Sequence, residues 1–71
     1  MNMNNYRIEF SHVNSDGIRK IETDECVAAS ASEAVRKIRT RYKEYGNIYI
    51  EDVWREDFDC WSHVEKILWE E

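Results

Sequence analysis

The chain has 71 residues, a mass of 8.6 kDa and a formal net charge of −5. That length holds a single small domain over residues 1–71 with one core, and leaves no second lobe to close over a substrate. Leu, Ile, Val and Phe number only 15, a proportion that borders on disorder at this charge, but nine aromatic residues restore a folded reading because each buries roughly 150–250 Å².

From residue 6 to 13 the side chains alternate, with Tyr6, Ile8, Phe10 and His12 on one face and Arg7, Glu9 and Ser11 on the other, the pattern of a half-buried strand. Asn14-Ser15-Asp16-Gly17 follows, and its Asp-Gly step suits the positive φ of a tight hairpin. Residues 18–28 return as a second strand, expected to turn Ile21, Thr23 and Val27 toward Tyr6, Ile8 and Phe10. Two-residue and four-residue loops both preserve that facing.

Ser30-Ala31-Ser32-Glu33 has the spacing of a capping box, so a helix is expected to start there. Ala31, Ala34, Val35, Ile38, Tyr42 and Tyr45 fall on one apolar stripe, and Gly46 stops the helix. Residues 47–55 resume alternation as a third strand, with Ile48, Ile50 and Trp54 on one face and Asp52 interrupting it.

The last fifteen residues support two readings. As a helix, Cys60, Trp61, Val64, Ile67 and Leu68 share a face, with Asp57 and Asp59 near its N-terminus. As a strand, a turn at residues 56–59 sets Trp54 across from Trp61 and Asp52 across from His63. The more complete apolar face favours the helix, although Glu70 and Glu71 oppose its dipole. The expected fold is α+β, a ββαβ domain with an antiparallel sheet and a C-terminal helix; the alternative is a fourth strand, ββαββ.

Charge is segregated along the chain. Residues 1–35 sum to −3, residues 36–43 to +5 and residues 44–71 to −7. Arg36, Lys37, Arg39, Arg41 and Lys43 form a basic ridge opposite or flanking the helix stripe. Its structural role is a solvated face that complements the dipole, and its functional reading is phosphate contact through Arg36, Arg39 and Lys43. Glu51, Asp52, Glu56, Asp57 and Asp59, with Glu65, Glu70 and Glu71, make the final third an acidic surface suited to a basic partner. Trp69, if it lies off the apolar face, is the best single anchor there.

Candidate chemistry is sparse. Cys60 and His63 lie three apart, and with Cys26 and His12 they complete a zinc ligand set only if the fold gathers them; the usual paired close spacing is missing, and no metal or other cofactor is expected. The same Cys60/His63 pair lacks an orienting group for nucleophilic catalysis. With two glycines there is no phosphate-cradling loop, so an enzyme is not expected. Two cysteines are too few for a disulfide framework, no signal peptide or membrane span is apparent, and free thiols in a cytoplasmic protein are expected.

The run from Val27 to Val35, VAASASEAV, after a Tyr6-x-x-x-Phe10 strand and an Asp-Gly turn, resembles the strand-to-helix junction of small ββαβ proteins of phages and mobile elements, among them anti-CRISPR and other anti-defence inhibitors. The resemblance covers residues 6–55 as a pattern of element types. It implies a stoichiometric binder and carries no functional residue across. The expected function is therefore a cytoplasmic, non-enzymatic binding protein docking on a basic protein surface through its acidic third. The alternative is nucleic-acid binding through the helix ridge; a membrane partner is not expected, and an exposed sheet edge allows a homodimer.

Overall fold

A computed structural model describes residues 3–70; Glu71 lies outside the described residues. Strands β1 (Asn4–Val13) and β2 (Arg19–Ala28) precede helix α1 (Ala31–Arg41) and a 3-10 turn (Lys43–Tyr45). Strands β3 (Tyr49–Asp57) and β4 (Cys60–Val64) follow, and a second 3-10 turn (Lys66–Leu68) is the last described element. All four strands form one antiparallel sheet in the order β2-β1-β3-β4. The fold is α+β, and the fourth strand forms in place of the C-terminal helix.

The helix starts where the capping box places it. Ser30 Oγ accepts from the Glu33 N–H at 3.2 Å, which satisfies one orphan donor of the helix, and the Glu33 carboxylate reaches one residue beyond the cap to accept from the Ala29 N–H at 3.2 Å. Ala31, Ala34, Val35 and Ile38 are buried, as the stripe requires. The α-helix ends at Arg41, earlier than expected, and the chain tightens into the 3-10 turn before Gly46. Gly46, at φ 77° and ψ −139°, occupies backbone space open essentially only to glycine, which ends the helical path there.

Two single-residue irregularities decide which side chains meet the helix. In the first hairpin, Asn14 and Ile18 close on a three-residue loop: the Gly17 N–H donates to Asn14 O at 3.0 Å, and Gly17 sits at φ 79°. An odd loop inverts the facing that an even loop preserves. Tyr6 pairs with Cys26, Ile8 with Asp24 and Phe10 with Glu22, so Ile21, Thr23 and Val27 project from the opposite face, contrary to expectation. Cys26 and Ala28 join the core instead.

The second irregularity is a bulge in β3. Glu9 pairs with Asp52 but Phe10 pairs with Ile50, which leaves Glu51 as the extra residue. Strand phase shifts by one, so Val53 joins Ile48 on the buried face and Trp54 turns away from it. The expected Ile48, Ile50, Trp54 set is thereby corrected.

The C-terminal segment extends the sheet because β3 offers an unpaired backbone edge that a strand can satisfy and a helix cannot. Its register pairs Trp54 with His63 and Glu56 with Trp61. Val64 and Trp69 bury on the helix side, whereas Ile67 and Leu68 are exposed. The core therefore lies entirely between α1, the C-terminal turn and one face of the sheet.

Candidate functional site

Helix α1 covers one sheet face, and no element of the described residues lies over the other. Alternation puts Arg7 and Glu9 of β1, Thr23 and Glu25 of β2, Asp52 and Trp54 of β3, and Trp61 and His63 of β4 on this bare face. Trp54 and Trp61 are half-buried, while Ile21 and Tyr49 are 65% and 54% exposed. So much apolar surface on a small chain marks an interaction surface.

The polar groups of this face are arranged around the indoles. The Arg7 guanidinium lies 4.5 Å from the Trp61 ring centroid, with the Glu25 carboxylate 3.8 Å away. His63 Nε2 and Asp52 Oδ1 are 3.0 Å apart, and the His63 ring meets Trp54 edge-on at 5.9 Å. The expected Asp52–His63 contact thus exists, diagonally rather than directly across the strands. At the far end, buried Ser11 donates to Glu51 at 2.8 Å, and Arg19 lies over Tyr49 at 5.5 Å.

The β3–β4 hairpin extends this surface to an acidic tip. Glu56, Asp57 and Asp59 are exposed, and between them Phe58 is 94% exposed at φ 57°, the one described non-glycine residue with positive φ. Composition masks such an anchor, because a lone Phe in an acidic run reads as part of a helix start. Trp69 is not the anchor: it is 5% exposed and closes the core beside Val35, Ile48 and Ile50. Its indole N–H is the one buried side-chain polar atom without a hydrogen-bond partner among the described residues. Of the expected acidic set, Glu51 and Asp52 are engaged by Ser11 and His63, whereas Glu56, Asp57 and Asp59 cluster at the tip.

The basic ridge is largely turned onto the protein itself. Arg39 donates to Ile48 O at 3.0 Å, Lys37 to Val27 O at 2.7 Å, and Arg41 to Glu25 O at 3.1 Å and Asp24 at 2.7 Å. Lys37 and Arg41 thereby occupy carbonyls of β2, an edge strand, and blunt it against pairing with another chain. Arg36 and Lys43 are exposed.

A polar cluster fastens the helix end to this edge. Burial pushes the Asp24 carboxyl up, but the Tyr42 hydroxyl, Arg41 and the Glu25 N–H outweigh it and hold the group below the usual carboxylate range. The same Asp24 contact raises the Tyr42 phenol to about 12. His12 is buried, hydrogen-bonds Glu22 and stacks on Tyr45 at 4.2 Å.

The cysteines and histidines do not converge. Cys26 is buried, its thiol raised by burial, and its Sγ contacts Ala34 O at 3.6 Å; Cys60 is exposed at the tip. Cys60 and His63, three apart in a strand, project from opposite faces, which separates the pair read as a nucleophile and its base. Among the described residues no group of three or more His, Cys, Asp or Glu is placed to hold a metal ion. No described helix is long and apolar enough to cross a membrane. No protein-family model, curated protein or solved structure matches the chain.

Proposed function

We propose that this chain is a small non-catalytic binding protein of the cytoplasm that docks on a basic protein surface through the bare sheet face and the acidic β3–β4 tip. The observation that carries this reading is the pairing of two half-exposed indoles with a carboxylate-rimmed aromatic tip on one side of the molecule. Phe58 supplies the apolar anchor, and Glu56, Asp57 and Asp59 steer the encounter and fix its orientation. A stoichiometric inhibitor, of the kind the phage resemblance implies, works by such occupation of a partner's surface. Nucleic-acid binding through Arg36, Arg39 and Lys43 has less support, because Arg39 donates to Ile48 O within the chain.

The test is affinity capture from a bacterial lysate with the native chain and with a Glu56→Lys, Asp57→Lys, Asp59→Lys variant. A protein partner held by the native chain, released by salt and lost from the variant supports the reading. Equal capture by both chains, or saturable binding of labelled DNA or RNA at low salt, overturns it.

A further inference from the structure

The bare face contains a cleft of about 320 Å³ lined by Arg7, Glu9, Thr23, Trp54 and Trp61. The volume falls within the range of small-ligand sites, and two of the five lining side chains are indoles. The two charged side chains that line the cleft, Arg7 and Glu9, differ in their partners. Arg7 is compensated by Glu25 and lies on Trp61, and Asp52 is held by His63. Glu9 is half-buried and has neither a hydrogen bond nor an ion pair among the described residues. A partly desolvated carboxylate without a counter-charge, on the strand next to an indole, is the composition of a receptor for an organic cation.

We infer that this cleft receives an arginine side chain of the partner, with Glu9 as its carboxylate and Trp54 as its stacking surface, Trp61 being covered by Arg7. The inference rests on the proposed docking of a basic protein and names the partner group that enters. A guanidinium fits better than an ammonium because it is planar, weakly hydrated and presents a fork of donors to a carboxylate. Arg7 displays this mode within the chain, its guanidinium placed over the Trp61 ring. The partner's arginine takes the remaining aromatic surface beside Trp54 and neutralises Glu9.

The experiment follows the indole N–H signals of the native chain by two-dimensional NMR during titration with Nα-acetyl-arginine amide. The uncharged isostere Nα-acetyl-citrulline amide and the corresponding lysine amide are titrated in parallel. Arginine is expected to shift Trp54 and Trp61 saturably, at least five-fold more tightly than citrulline, while buried Trp69 stays in place as the internal reference. Glu9→Gln is expected to reduce arginine binding to the citrulline level with Trp69 unmoved, which reports an intact fold. Absence of saturable shifts, equal binding of citrulline, or full binding by Glu9→Gln overturns the cation site. Lysine binding as tightly as arginine overturns the guanidinium assignment. The comparison of ligands on the native chain needs no variant to fold. The ligand titration keeps the native tip and needs no partner protein, so failure of either reading is visible separately.

Discussion

Tyr42 donates its hydroxyl to Asp24 across 2.6 Å, joining the end of the helix to an edge strand 18 residues earlier in the chain. The contact also orders Arg41, which shares the same carboxylate oxygen at 2.7 Å. One carboxylate therefore anchors both the last helical residue and the residue that caps it.

This anchor predicts a two-sided pH dependence. Asp24 is depressed in the folded state, so its stabilisation is present above the unfolded carboxyl value and is lost as pH falls through the lower folded one. Tyr42 is raised to about 12, so its contribution is complete below an unfolded value of about 10 and disappears as pH rises through 12. Tyr42→Phe is expected to cost about 1 kcal/mol at neutral pH. The difference from the native chain should shrink between about pH 10 and 12, measured by urea unfolding followed by circular dichroism. A difference that stays constant through this range contradicts the assignment.

The tip predicts opposite effects on stability and binding. Phe58 takes a positive φ at the first position of a two-residue turn, where glycine is at ease, and its ring touches little of the protein. Phe58→Gly is expected to raise stability by about 1 kcal/mol by removing backbone strain. The same variant is expected to lose most of the captured partner. Thermal unfolding and capture on one preparation check both halves, and a variant that loses stability refutes the strain.

The helix cap gives a calibration of the fold. Ser30→Ala removes the acceptor for the Glu33 N–H and is expected to cost about 1 kcal/mol, with Ser30→Asp retaining most of the native value. Denaturant midpoints of the three proteins decide it.

The blunted edge predicts a change of assembly. Replacing both Lys37 and Arg41 by Ala frees the carbonyls of Val27 and Glu25 on β2. Concentration-dependent association, read by light scattering after gel filtration, is expected of this variant and not of the native chain at the same concentration. Equal masses for the two would show that the cations do not guard the edge.

The elements from β1 to β3 are legible in the chain, β4 stands there only as the alternative to a helix, and the facing of the strands is not legible. The Ser30/Glu33 spacing located the helix start to the residue, because a cap is a local hydrogen-bond arrangement with a fixed offset. Tyr6, Ile8 and Phe10 were recognisable as core from alternation alone. Ile21, Val27 and Trp54 face away from the core, contrary to simple alternation, because each facing depends on whether a loop or strand contains an odd or even number of residues, and alternation carries no mark of that count. The bare face was hidden by the same ambiguity: once Trp54 is placed inside, no pair of exposed indoles remains to notice. The acidic tip was visible as composition, but its aromatic apex emerges only once residues 57–60 close as a hairpin.

Glu51 gives this surface an unusual genetic signature. The identity of residue 51 matters less than its presence, since removing it rotates every later position of β3 by half a strand period and exchanges Trp54 with its buried neighbour. A substitution along Tyr49–Asp57 changes one side chain and leaves the facing of the others, while loss of residue 51 turns every later side chain of the strand, Trp54 included, to the other face. Divergent versions of this chain that keep the same surface should therefore agree in the length of that strand.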